Sequence, residues 1–108
     1  MWNSTGNAIN MTAGDFGVAL TIGVHGIELA ATDNLLLTIE TADKREIKVM
    51  KEYENLSGSS VDIELELTAA ESAALPAGEY FWLLDWYKDG EFFVNLILDE
   101  PFRVVSRG

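Results

Sequence analysis

One histidine and eighteen carboxylates are the side chains of this chain best suited to acid–base or metal chemistry. His25 stands beside Gly26 at the end of an alternating run. Serine chemistry would need a hydroxyl and an orienting acid brought to it in space. No nucleophile elbow or glycine-rich phosphate loop accompanies it, so His25 reads as a turn residue. Asp62, Glu64 and Glu66 fall at alternate positions of VDIELEL. Same-face neighbours on a strand lie about 6.6–6.8 Å apart. No histidine joins them to complete a cage, and they read as a solvated row that guards a strand edge. Asp85 sits alone in the aromatic stretch FWLLDWY. Burial can raise such a carboxyl's pKa, but a single acid reads as a hydrogen-bonding or partner-contact group. A carboxylate pair for glycoside hydrolysis can be drawn from many of the acids, and nothing singles one out. There is no cysteine, which excludes disulfides and thiolate metal sites. The residues therefore predict no catalytic residues, no metal site and no cofactor.

The charge balance narrows the partners. Eighteen acidic against seven basic side chains give a formal net charge of −11. Phosphate-backbone binding needs clustered lysine and arginine, so direct nucleic-acid binding is not expected. An acidic inhibitor that mimics nucleic acid stays open as an alternative. The plainest role of the charge is solubility. No apolar run approaches the ~18 residues of a membrane-spanning helix. The start MWNSTGNAINMTAGD lacks the basic and apolar segments of a signal peptide. No membrane partner and no secretion by a signal peptide are expected.

The elements that would position any site are short strands. Residues 1–14 are rich in Asn, Gly, Ser and Thr and read as a flexible N-terminal arm, with Trp2 and Met11 as possible anchors. Residues 15–108 read as one domain. Asp15–Val24, Asn34–Thr41, Arg45–Glu52 and Val61–Leu67 alternate as strands, with His25-Gly26 and Asp43-Lys44 as turns. Thr68-Ala69-Ala70-Glu71 is a capping box, and Pro76 limits the helix it opens to about residues 69–74. Glu79–Lys88 and Glu91–Leu98 flank Asp89-Gly90, a strong two-residue hairpin signal, and Pro101 is expected to break pairing before Phe102–Val105. Seven or eight short antiparallel strands with one short helix predict an all-β sandwich.

The hairpin carries the candidate site. With Asp89-Gly90 as the loop, Trp86 is expected opposite Phe93 and Trp82 opposite Ile97, because paired residues share a face. One face then holds Tyr80, Trp82, Leu84, Trp86, Phe93 and Ile97. The other holds Phe81, Leu83, Tyr87, Phe92, Val94, Leu96 and Leu98 around Asp85. A sandwich sheet in an isolated monomer needs only one apolar face. A large exposed apolar patch marks an interaction site. The expected interaction residues are Phe81, Leu83, Tyr87, Phe92, Trp82, Trp86, Phe93 and Trp2. Cover by the chain itself, or an aromatic groove for a carbohydrate or peptide, are the alternatives.

From Val61 to Val105 the sequence also resembles a known family. Leu67, Thr68, Glu71, Ser72, Leu75, Pro76, Gly78 and Tyr80, followed by Asp89-Gly90 and by Phe102 and Val104, are similar to the pattern of small tailed-phage β-sandwich proteins. The likeness extends to the baseplate upper protein N-terminal domain, and Gly14-Asp15 resembles the start of its first strand. Such proteins continue into a long multimerising region, whereas this sequence stops at Gly108. The resemblance implies an immunoglobulin-like sandwich. It also implies a non-enzymatic structural role in the tail, baseplate or neck of a phage or prophage. The partners it implies are other copies or other virion proteins, and the location is the virion, or the bacterial cytoplasm before assembly. It transfers no catalytic residue.

Overall fold

The computed structural model describes residues 3–5 (backbone only), 8–17 and 19–106. Eight strands and one helix follow in order: β1 (Asn3–Thr5), β2 (Ala8–Thr12), β3 (Ala19–Leu29), β4 (Asp33–Thr41), β5 (Ile47–Tyr53), β6 (Gly58–Glu66), α1 (Ala69–Ala73), β7 (Gly78–Lys88) and β8 (Glu91–Val105). The all-β class read from the alternation is the class the chain adopts. Six strands form a mixed sheet in the order β1-β2-β8-β7-β4-β5, and β3 and β6 form a separate antiparallel ribbon. The expectation of antiparallel strands throughout is corrected at one place. β2 runs parallel to β8, with Ile9 opposite Phe102 and Met11 opposite Val104.

The alternating residues explain the core. Leu35, Leu37 and Ile39 on β4 and Tyr80, Trp82, Leu84 and Trp86 on β7 are buried, as are Ile63 and Leu65 on β6 and Phe102 and Val104 on β8. They form one cluster with Ile9, Met11, Val24, Leu29, Val49, Leu67 and Leu75. The inner face of the six-stranded sheet thus packs on the ribbon. Ile9 and Met11 also correct part of the reading of 1–14 as an arm. Residues 8–12 form a strand because Ala-Ile-Asn-Met-Thr alternates, and both apolar side chains bury at the free flank of β8.

Two further local expectations change. His25-Gly26 does not end β3. Pairing with β6 continues from His25↔Ser60 to Leu29↔Gly58 through a bulge, and Gly26 supplies the positive φ of +82° that the bulge requires. Pro101 does not break β8. It pairs with Phe81 of β7, one residue before β2 joins the other edge at Phe102. At that edge position the missing N–H is tolerated.

The helix forms as the capping box dictates. The Glu71 backbone N–H donates to Thr68 Oγ1 at 3.1 Å, and the Thr68 N–H donates to Glu71 Oε1 at 2.9 Å. Lys51 Nζ lies 2.6 Å from the same Glu71 oxygen and ties α1 to β5. Thr68→Ala is expected to cost about 1 kcal/mol, the usual value of an N-cap, read as a lower urea midpoint at unchanged slope. After the helix, the Tyr80 hydroxyl donates to the Pro76 carbonyl at 2.7 Å and anchors the entry of β7.

Tyr53 closes the β5–β6 side. Its hydroxyl donates to the Glu64 carbonyl at 2.8 Å. Burial, with a smaller push from the Glu71 charge, raises its pKa to about 12 from the ordinary 10.0. The folded state holds this proton more tightly than the unfolded chain. Its contribution is therefore complete below pH 10.0 and is lost as pH rises towards about 12. Urea midpoints should fall across that window, and Tyr53→Phe should flatten the fall.

Candidate interaction surface

Alternation that buries one side of β4 and β7 turns the other side outward. Leu36 and Thr38 of β4 pair with Asp85 and Leu83 of β7 on this outer face, and Asn34 and Glu40 pair with Tyr87 and Phe81. Met50 of β5 stands opposite Thr38, and Phe92 of β8 stands opposite Tyr87. A one-residue shift between Ile39 and Glu40 brings Ile47 opposite Glu40, onto the same face. Ile97 of β8 pairs with buried Leu84, so the next residue, Leu98, turns to the outer side, and Met50 (53%), Phe92 (54%), Ile47 (51%) and Leu98 (57%) keep about half their surface exposed. Together they form an apolar area on the order of a few hundred Å², the size that marks interaction sites. Asn34, Leu36, Met50, Glu52 and Tyr87 line a shallow groove within it.

Arg45 answers part of the charge on this face, and Glu52, opposite Leu36, adds a carboxylate to it. Arg45 pairs with Glu40 at 2.8 Å and with Asp99, and its guanidinium lies 5.1 Å from the centre of the Phe81 ring. Asp85 accepts a hydrogen bond from the Asn95 amide, which is the hydrogen-bonding role expected of it. Further carboxylates lie elsewhere, including the exposed row Asp62, Glu64 and Glu66 on the ribbon.

The eight residues expected from the sequence separate into groups. Phe81, Tyr87 and Phe92 come together on the outer face, with the Tyr87 and Phe92 rings edge to face at 5.9 Å, while Leu83 on the same side is only 8% exposed and is corrected from a surface to a buried residue. Trp82 and Trp86 belong to the core, 2% and 7% exposed, and are corrected from surface to interior residues. Phe93 is 54% exposed but packs edge-on against Trp86 at 5.0 Å, towards the inner side of the hairpin tip. Trp2 lies outside the described residues. The expected hairpin register holds at Lys88↔Glu91 and then slips by one residue three times, so Trp86 pairs with Val94 and Trp82 with Glu100.

Asp33 organises that tip. Its Oδ2 accepts from the Ala30 N–H at 3.0 Å, from Trp86 Nε1 at 3.0 Å and from Lys88 Nζ at 3.2 Å. The Ala30 bond leads in holding the carboxyl below its ordinary pKa of 3.8, against the cost of burial. Lys88 also lies over the Trp86 and Phe93 rings, at 4.7 and 5.2 Å. These contacts brace the hairpin rather than form a reactive centre.

His25 lies on the strand, not in a turn, and its Nδ1 is 2.6 Å from Ser60 Oγ. Both side chains are exposed, and exposed Asp62 and Glu64 follow Ser60 at alternate positions. An oxyanion forming there would meet carboxylates where acyl-transfer chemistry requires donors. Among the described residues, no group of three or more His, Cys, Asp or Glu side chains is placed to hold a metal ion. No described helix is long and apolar enough to cross a membrane.

Sequence reasoning missed the contribution of β5. Met50 was legible as the outward partner of buried Val49, but Ile47 reaches the outer face only through a bulge that leaves no mark in the alternation. Comparison of the chain with protein-family models, curated proteins and solved structures found no match.

Proposed function

We propose that this chain is a non-enzymatic structural protein that assembles through the outer face of its six-stranded sheet. It packs against copies of itself and neighbouring proteins of a larger particle. The exposed apolar face carried by Ile47, Met50, Phe92 and Leu98 is the observation that carries the reading. Four adjacent strands span roughly 19 Å and the nine-residue β4 roughly 30 Å, a face on the order of 600 Å². A standard stable interface takes about 800 Å² per partner, so this face would supply about three quarters of one. The Arg45 guanidinium between Glu40 and Asp99 offsets part of the negative charge where two like copies would meet. The setting proposed is a tail, baseplate or neck particle, supported by the resemblance of Val61–Val105 to small tailed-phage sandwich proteins.

The finer fold belongs to the same reading: an immunoglobulin-like sandwich. The order β8-β7-β4-β5 follows the G-F-C-C′ order of a variable-type sheet, with β3 and β6 in the places of B and E. The Tyr80 hydroxyl bonded to the Pro76 carbonyl at the start of β7 supports it as a tyrosine corner.

Peroxide oxidation tests the contact. Met50 is 53% exposed on the outer face and Met11 is 0% exposed in the core. Met50 sulfoxide should form several-fold more slowly as protein concentration rises, with Met11 slow throughout. A Met50 rate independent of concentration would sink the reading.

A further inference from the structure

The ribbon is two strands wide and the sheet it covers is six wide, and the cover is lopsided. Ile22 of β3 pairs with Ile63 of β6, and Leu20 pairs with Leu65. All four share the inward side, yet Ile63 and Leu65 are buried while Ile22 and Leu20 are only half-buried. On the facing sheet, Trp82 and Leu84 are buried while Leu96 and Ile97 of β8 are half-buried. The β6 side is closed by the Tyr53–Glu64 hydrogen bond and the Lys51–Glu71 ion pair. The flank between β3 and β8 is open as a groove of about 190 Å³ lined by Ile22, Ile27, Trp82, Leu84, Leu96 and Ile97.

Backbone chemistry defines what fits there. Among the described residues β3 pairs only with β6, so its other edge presents N–H and C=O groups beside the groove. β2 occupies the edge of β8 only from Phe102 to Val105 and leaves the Leu96–Ile97 region open. An extended segment lying against β3 would complete the ladder and drop every second side chain onto Leu96, Ile97 and Trp82. Its remaining side chains would stand on the solvent side beside Thr21, Gly23 and His25. A Cβ built on Gly23 would lie 3.5 Å from Asp62 Oδ1 and 2.7 Å from His25 Nε2. The Asp62 carboxylate therefore leans over Gly23 towards this edge, with Glu64 and Glu66 along the same row.

We propose that the β3–β8 groove binds an extended strand of a partner protein, added to the β3 edge, in which apolar residues alternate with lysine or arginine. This surface is opposite the outer sheet face, and the proposal does not rest on the assembly role of that face. Three peptides of about ten residues test it by titration into isotope-labelled protein. One alternates valine with lysine, one alternates valine with glutamate, and one is the valine–lysine peptide N-methylated along one edge. The first should shift the amide signals of Leu20–His25 and Ile97 and slow β3 exchange roughly tenfold. The glutamate peptide should bind at least about tenfold more weakly. The N-methylated peptide should give no β3 response. The proposal is overturned by an equal response to all three, by shifts confined to other strands, or by no response at about 1 mM peptide.

Discussion

Trp82→Ser is expected to lower stability by about 3–5 kcal/mol, the range for removing a large buried aromatic. A domain of this size has only about 5–15 kcal/mol in total, so much of the chain would be unfolded in mild urea. The reason is position. Trp82 is 2% exposed in the middle of β7, opposite Ile39 of β4, and belongs to the cluster that joins sheet and ribbon. Serine leaves both a cavity and a buried hydroxyl. Phe93→Ser on the same hairpin should cost far less. That ring is already 54% exposed, and its edge contact with Trp86 is worth about 0.5–1.5 kcal/mol. Equal losses from the two substitutions, measured by urea unfolding, would contradict the assignment of the hairpin's two faces.

The second large effect is on association. Phe92→Arg combined with Leu98→Arg should leave the fold intact and abolish self-association. Both side chains are more than half exposed, so Leu98→Arg should stay within about ±0.5 kcal/mol and Phe92→Arg should lose only its edge contact with Tyr87, worth about 0.5–1.5 kcal/mol. In a two-fold contact each copy presents the same patch, so every added guanidinium is introduced twice and must be desolvated against an apolar surface. Far-ultraviolet dichroism should match the parent chain, and the urea midpoint should fall only slightly below that of the parent diluted to its monomer, which separates lost contact from lost fold.

Much of the architecture was legible because local signals agree with the tertiary outcome. Val61–Leu67 alternates without interruption, and Ile63 and Leu65 are buried while Asp62, Glu64 and Glu66 are exposed. The capping box forms both of its hydrogen bonds. Asp89 and Gly90 take positive φ values of 50° and 82°, as a type I′ turn requires. What stayed hidden is register. β8 is apolar on both faces, so a one-residue slip costs little in side-chain burial and alternation cannot fix the pairing. Three such slips, one next to Asp99 at φ 55°, separate Trp82 from Ile97 and place it opposite Glu100. Strand β2 was hidden for a different reason. Ile9 and Met11 are its only large apolar residues, and the strand exists because β8 offers them an edge and a core. The aromatic surplus was visible in composition, but its division into Trp82 and Trp86 inside and Phe81, Tyr87 and Phe92 outside depends on where the ribbon lies.

Molar mass by light scattering, measured from about 10 µM to about 1 mM, tests the central claim most directly. The parent chain should rise above its 11.9 kDa monomer mass as concentration increases, while the Phe92→Arg, Leu98→Arg chain stays at the monomer value. A parent chain that remains monomeric throughout, or a double variant that associates as strongly as the parent, would contradict assembly through the outer sheet face.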